Sequence, residues 1–350
     1  MSYAIRAEAL VKKYEDTVAL DGVDLEVAAG EVVGVLGPKG AGKTTTVRIL
    51  AGMLPPDAGR AAVVGCDVVA DEARVLGLVG VCGLTGPAAP ITVAGRTEPP
   101  ERFAAAEQHL SGAEHLVLRG RLLGMAKRDA RARAAELVAF FELTDAATRP
   151  LSAFSGGLRR RLDLAVSVVG RPPVVLLDEP TAGLASRARE EIGDMVRRLA
   201  ADGTTVLFTT ESAEEADRLS DRILVLDRGR VLAVGAPDEL KRRDGSQTLR
   251  VRPTLTADVD TVARILSELT GATPDREAST GLLTVPISDP MLISALVRRL
   301  DGAGIATDEL GLRLPGLNDV LLTLTARPSE EADRAGAEAD RAGAAERNVA

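Results

Sequence analysis

Residues 31–44 read EVVGVLGPKGAGKT, and this stretch decides the fold. An apolar run from Glu31 to Leu36 is typical of a buried strand, and a glycine-rich loop follows it directly. Residues 44–50 then show a helical pattern, which ends near Gly52. A strand, a glycine loop and a helix in immediate succession predict an α/β fold with a largely parallel sheet.

The glycine loop matches the pattern G-x-x-x-x-G-K-[ST], in which backbone N–H groups and a helix N-terminus surround phosphates. Lys43 is expected to reach the β- and γ-phosphates, and the Thr44 hydroxyl to bind Mg²⁺. The sequence therefore predicts a nucleotide site. Its predicted phosphate-binding residues are Gly37, Pro38, Lys39, Gly40, Ala41, Gly42, Lys43, Thr44 and Thr45.

A second apolar run, Val174 to Leu177, leads into the carboxylates Asp178 and Glu179. Carboxylates at a strand end complete a P-loop site, because the metal ion needs oxygen ligands and the attacking water needs a base. We expect Asp178 to hold Mg²⁺ through water and Glu179 to position and polarise the attacking water. Glu179 is thus the predicted catalytic residue.

Between these motifs lies Phe154-Ser155-Gly156-Gly157, at the start of a helix that continues RRRLDLA over residues 159–165. The three motifs, in this order and spacing, resemble the ATP-binding subunit of an ABC transporter over about residues 4–241. The RRRLDLA run and the C-terminal segment are similar to the daunorubicin-resistance type found in drug exporters.

This resemblance implies a P-loop NTPase fold, ATP and Mg²⁺ as ligands, and a place on the inner face of the cell membrane. Tyr14 matches the aromatic residue that stacks on adenine. Ser155, Gly156 and Gly157 would contact the γ-phosphate held by a second nucleotide-binding domain. The expected partners are that second domain, in a homodimer or heterodimer, and a transmembrane permease that this chain does not contain.

Three positions depart from the family pattern. Leu84 stands where the family has a glutamine, Ala185 where it has an aspartate, and Glu211 where it has a histidine or, in this subgroup, often a glutamine. An ionised Glu211 cannot donate a hydrogen bond to a phosphate. Lys39, which replaces a usual asparagine, could balance its charge. Two functions remain open: an ATPase that powers export, and a regulatory or pseudo-ATPase partner with weak hydrolysis.

Composition shifts divide the chain. We predict an ATP-binding domain over 1–241, with a mobile surface insertion at 83–107 that is rich in proline and alanine. A linker near 241–246 leads to an α/β accessory domain over 247–326. Residues 327–350 lack large apolar side chains, and we expect them to be disordered.

The composition also excludes several classes of protein. A net charge of -8 and 2% aromatic residues argue against a nucleic-acid binder. Two cysteines cannot build a disulfide framework or a four-ligand zinc site unaided. No apolar stretch reaches the roughly 18 residues that a membrane-spanning helix needs, and the N-terminus lacks a signal-peptide layout. A cytoplasmic location is expected. Non-transport ABC proteins need coiled coils or two nucleotide domains, neither of which is present.

Overall fold

The computed structural model describes residues 3–84, 91–93, 96–98, 109–244, 247–277, 280–287, 289, 291–313, 316–317 and 320–321. The chain divides into two compact units, Met1–Pro237 and Asp238–Ala350. Both units combine helices and strands, as the α/β prediction requires. Among the described residues, no helix has the length and apolar character needed to cross a bilayer.

A six-stranded sheet forms the centre of the first unit. Its strands run in the order β12-β11-β3-β10-β9-β6, and all are parallel except β12, which pairs antiparallel with β11. The carboxyl ends of its parallel strands therefore lie along one edge. The strands are β3 (Val32–Leu36), β6 (Val79–Cys82), β9 (Val174–Leu177), β10 (Thr205–Thr210), β11 (Arg222–Asp227) and β12 (Arg230–Gly235).

A second sheet in this unit is antiparallel, with the order β2-β1-β4-β5. It comprises β1 (Tyr3–Tyr14), β2 (Thr17–Ala28), β4 (Ala58–Val63) and β5 (Cys66–Asp67). A short hairpin, β7 (Ile91–Val93) and β8 (Arg96–Glu98), lies within the stretch expected to be a mobile insertion. The mobility of the 83–107 insertion stays a prediction, and most of the rest of this stretch lies outside the described residues.

Helices flank the central sheet. They are α1 (Lys43–Leu50), α2 (Glu72–Leu78), α3 (Gly112–Leu122), α4 (Lys127–Phe140), α5 (Gly156–Ser167), α6 (Ser186–Ala201) and α7 (Ala213–Leu219).

The central strands are buried on both faces, which explains their continuous apolar runs. In β9, Val174 and Leu176 pack into a cluster with α1 and the antiparallel sheet. Val175 and Leu177 point to the opposite face, into a second cluster with α3 to α7. The central sheet is thus packed between two hydrophobic cores, one on each face.

The second unit contains a four-stranded antiparallel sheet in the order β14-β15-β13-β16. Two helices pack their apolar faces on it, with Val262, Leu266, Leu296 and Leu300 in the shared core. Its first helix is α8 (Pro237–Asp244), which begins at the last residue of the first unit. Its other elements are β13 (Gln247–Pro253), α9 (Val259–Thr270), β14 (Asp275–Arg276), β15 (Leu283–Ile287), α10 (Leu292–Gly302) and β16 (Thr307–Arg313).

One sequence-based boundary is wrong. Residues 241–244 belong to helix α8 rather than to a linker. The segment PDELKRRD places proline at the first helical position and acidic residues in the first turn, which favours a helix over a flexible connection. The domain limits 1–241 and 247–326 stay predictions, and the tail at 327–350 lies outside the described residues.

Candidate nucleotide-binding site

The glycine loop connects β3 to α1, as the sequence predicts. Gly42 has φ of 105°, in the left-handed region, and a Cβ there would lie 2.5 Å from the carbonyl oxygen of Ala19, so only glycine fits. Gly42 is the N-cap of α1, and no side chain caps this helix. The amides of its first turn therefore have no side-chain acceptor, which leaves them able to bind phosphate oxygens.

Lys43 is the buried cation of this loop, with 4% of its surface exposed. Its Nζ donates to the carbonyl oxygens of Gly37 (2.9 Å) and Pro38 (3.0 Å). Two carboxylates also approach it, since Oε1 of Glu179 and Oε1 of Glu211 each lie 3.5 Å from Nζ. One lysine amine thus joins the ends of β3, β9 and β10.

Asp178 follows β9 and is nearly buried, at 8% exposure. Its Oδ2 accepts a hydrogen bond from Thr44 Oγ1 (2.8 Å), and its Oδ1 accepts one from Thr209 Oγ1 (2.7 Å). The amide of Glu179 donates to the same Thr209 oxygen at 2.9 Å. Thr209 therefore orients both carboxylate-bearing residues. Sequence reasoning missed it, although a hydroxyl at the end of the neighbouring buried strand was a usable signal.

The donor set around Asp178 fits a magnesium ion. A threonine hydroxyl and a carboxylate are 2.8 Å apart, and both are hard oxygen ligands of the kind Mg²⁺ prefers. Within the described part of the chain, no group of three or more His, Cys, Asp or Glu side chains could hold a metal ion unaided.

The end of β6 packs closely against Asp178. The Asp178 amide donates to the carbonyl oxygen of Cys82 at 2.8 Å, and a Cβ on Gly83 would collide with the Asp178 carbonyl oxygen. Burial, together with the negative charge of Asp163, raises the pKa of the Cys82 thiol to about 12, while Arg160 acts in the opposite direction. The thiol is therefore protonated at neutral pH.

A cleft of about 710 Å³ opens over these groups. It brings together most of the residues predicted to bind the nucleotide. Gly37 and Pro38 do not line the cleft, but their carbonyl oxygens accept hydrogen bonds from Lys43. Ala41 is buried. Sequence reasoning did not assign Ala19, Arg48, Gly83, Arg160 or Ala182 to the site. The predicted residues that line the cleft are Tyr14, Lys39, Gly40, Gly42, Lys43, Thr44, Thr45, Leu84, Asp178, Glu179 and Glu211.

Ser155, Gly156 and Gly157 do not line this cleft. Together with Ala185 they line a different one, of about 410 Å³, between the starts of α5 and α6. Ser155 caps α5 by accepting from the Leu158 amide at 3.4 Å. Ala185 is the N-cap of α6 and offers no side-chain acceptor, whereas an aspartate there could cap the helix.

The cation beside Glu211 is Lys43. Lys39, the candidate that the sequence suggested, lies exposed on the cleft wall, and no ion pair between it and Glu211 occurs among the described residues. The physical reason is the parallel pairing of β10 with β3, which sets Thr210 opposite Leu36 and so places residue 211 beside the base of the loop.

Comparison with known proteins agrees with this geometry. The family model described as ABC transporter matches residues 20–182. Daunorubicin resistance ATP-binding protein DrrA2 of Streptomyces coeruleorubidus is 40% identical over 95% of this chain and 98% of its own. Daunorubicin/doxorubicin resistance ATP-binding protein DrrA of Streptomyces peucetius is 42% identical over 94% of each chain. The chain belongs to the family of ABC transporter ATP-binding proteins. Within that family it is similar to the daunorubicin-resistance type, which confirms the resemblance seen in the motifs.

Solved structures share the fold. CbiO1 of Clostridium perfringens, part of the ABC transporter complex CbiONQ, matches with a TM-score of 0.60 at 22% identity, over 77% of this chain and 99% of that one. A nucleotide-free ATP-binding cassette from an ABC transporter matches with a TM-score of 0.58 at 22% identity, over 69% of this chain and 94% of that one. The predicted P-loop NTPase fold is thereby confirmed.

Proposed function

We propose that this chain binds and hydrolyses ATP with Mg²⁺ and that it powers export of a drug or antibiotic through a separate permease. The observation that carries the proposal is the convergence of Lys43, Thr44, Asp178 and Glu179 at one cleft. These residues supply a phosphate-binding cation, two oxygen ligands for the metal and a carboxylate for the attacking water. The export role is supported by the names of the relatives, which are drug-resistance ATP-binding proteins.

The residues divide the work of hydrolysis. Lys43 and the amides that open α1 bind the phosphates, while Tyr14, 42% exposed on the cleft wall, provides a face for the adenine ring. Thr44 and Asp178 would hold Mg²⁺, which neutralises phosphate charge when bound. Glu179 accepts a proton from the attacking water. The hydrogen bond between its amide and Thr209 keeps its backbone in place as it does so.

The second cleft supports a dimer. Ser155 and Gly156 are exposed and lie outside the cleft that holds Lys43, so they can contact a nucleotide bound by another subunit. ABC ATP-binding subunits work in pairs with transmembrane permeases. We place this chain in the cytoplasm, on the inner face of the membrane, as one such subunit. The names of the relatives favour this function over a regulatory or pseudo-ATPase role.

The test is an ATPase and transport measurement on the assembled transporter. The chain is co-expressed with a candidate permease subunit of a drug exporter, and drug accumulation is compared in cells with and without each component. Purified complex in lipid is then assayed for ATP hydrolysis with and without Mg²⁺. We expect lower accumulation and Mg²⁺-dependent hydrolysis only when both components are present. Nucleotide binding without any hydrolysis in the complete complex would establish the regulatory alternative.

The second unit carries no phosphate motif, so we propose that it serves dimer contact or regulation. Its own core joins α9 and α10 to the four-stranded sheet, and the compact first unit ends at Pro237. We expect a chain that ends at Pro237 to keep ATP affinity within about twofold while it loses dimerisation or transport. Calorimetric titration and sedimentation measure the two properties. If the shortened protein is folded but binds no ATP, this division of labour is wrong.

A further inference from the structure

We propose that Glu211 makes the nucleotide site discriminate against the terminal phosphate of a nucleoside triphosphate. Relative to a site with an uncharged side chain at this position, the site would favour a nucleoside diphosphate. This inference rests on the proposed nucleotide-binding function and concerns the specificity of that same site. It arises from the shared position of Lys43 and Glu211 rather than from Glu211 alone.

All three N–H donors of the Lys43 ammonium group have oxygen acceptors within the protein. Two donate to the carbonyl oxygens of Gly37 and Pro38, and the third donates to Oε1 of Glu211 at 3.5 Å. That side of Nζ also faces Oε1 of Glu179, at the same distance. A γ-phosphate needs this same side of the lysine, so a triphosphate must compete with the two carboxylates for it.

The backbone holds Glu211 in this place. The amide of Gly37 donates to the carbonyl oxygen of Thr210 at 3.2 Å, which ties the end of β10 to the start of the phosphate loop. The Thr210 hydroxyl donates to buried Glu215 at 2.6 Å and accepts from the Ser212 amide at 2.9 Å. Residues on both sides of Glu211 are therefore fixed, and only rotation of its own side chain can remove the charge from Lys43.

The size of the effect follows from the exposure of the two partners. Repulsion between two like charges about 4 Å apart would weaken binding of the triphosphate roughly fivefold in water. At an effective dielectric constant near 20, it would weaken binding by several hundredfold. Lys43 is buried, but the Glu211 side chain is 50% exposed and can turn towards solvent. We therefore expect an effect near the lower limit, about tenfold. A diphosphate has no γ-phosphate to place on this side of the lysine, so the Glu211 carboxylate repels it much less.

The experiment compares two ligands on three proteins. Full-length parent, Glu211→Gln and Glu214→Gln proteins are titrated with Mg²⁺-ADP and with a Mg²⁺-bound non-hydrolysable ATP analogue. Glu214 is exposed and lies three residues away at the start of α7, so it matches the change of charge outside the cleft. We expect Glu211→Gln to tighten the triphosphate about tenfold while ADP affinity changes less than twofold. The Glu214→Gln protein should resemble the parent for both ligands.

The two ligands separate the possible failures. If Glu211→Gln tightens ADP and the triphosphate analogue equally, or tightens neither, Glu211 does not discriminate between them and the inference is wrong. If the parent binds neither nucleotide, the proposed function fails as well. A loss of folding in the variant, seen by circular dichroism, would mean that Glu211 has a structural role, which also contradicts the proposal.

Discussion

Replacing Glu179 by glutamine is expected to lower steady-state ATP hydrolysis by the assembled transporter about 100-fold or more, because general bases contribute at least this much to proton transfer. Glutamine keeps the shape of the side chain but cannot accept the proton of the attacking water. The Glu179 amide bonds the Thr209 hydroxyl through the backbone, so the substitution leaves this anchor intact. We expect the rest of the site to keep its geometry.

Nucleotide binding should survive in this variant. Glu179 Oε1 lies 3.5 Å from Lys43 Nζ, and removal of its charge frees the lysine for a phosphate. By the same charge argument as for Glu211, ATP affinity should therefore rise, by up to about tenfold, and ATP-bound protein should accumulate. Single-turnover and equilibrium binding measurements distinguish the two effects. The control is Glu72→Gln, which changes an exposed glutamate on α2 that does not line the cleft. Hydrolysis at the parental rate would show that Glu179 does not act on the water.

Local features of this site were predictable because they depend on residues adjacent in sequence. The apolar run that ends at Leu36, the glycines that follow it and the helix that begins at Lys43 are set by periodicity and by backbone freedom. The same holds for Asp178 and Glu179, which follow the apolar strand β9. These features can be predicted without knowing which strands are neighbours in the sheet.

Contacts between strand ends were not predictable in this way. Thr209 bonds Asp178 because β10 pairs with β9, and Glu211 reaches Lys43 because β10 also pairs with β3. The strand order 3-10-9 is a property of the whole sheet, so the sequence could offer Lys39 as a possible cation for Glu211 but could not show that Lys43 occupies this position. Arg160 was missed for a similar reason. It lies on α5, which falls between the glycine loop and Asp178 in the sequence, and only the folded chain brings it to the cleft.

Replacing Lys43 by alanine is expected to weaken ATP binding at least tenfold. The substitution removes the buried amine that reaches the phosphates, and hydrogen bonds to charged groups contribute about 1.5–3 kcal/mol. It also leaves Glu179 and Glu211 without the cation that both approach, so their charges repel the incoming phosphates more strongly. Calorimetric titration of the full-length protein measures the loss. Lys127→Ala is the matched control, because Lys127 is exposed at the start of α4 and lies outside the cleft.

The double variant Lys43→Ala/Glu211→Gln separates these two contributions. If the loss of affinity came only from the missing lysine bond, Glu211→Gln should tighten ATP binding by the same factor, about tenfold, with or without Lys43. If part of the loss comes from the unpaired carboxylate, the gain from Glu211→Gln should be larger in the Lys43→Ala protein than in the parent, since a mutant cycle measures this coupling directly. If folded Lys43→Ala protein binds ATP with unchanged affinity, Lys43 does not bind the phosphates. The loop amides at the start of α1 would then have to carry binding alone.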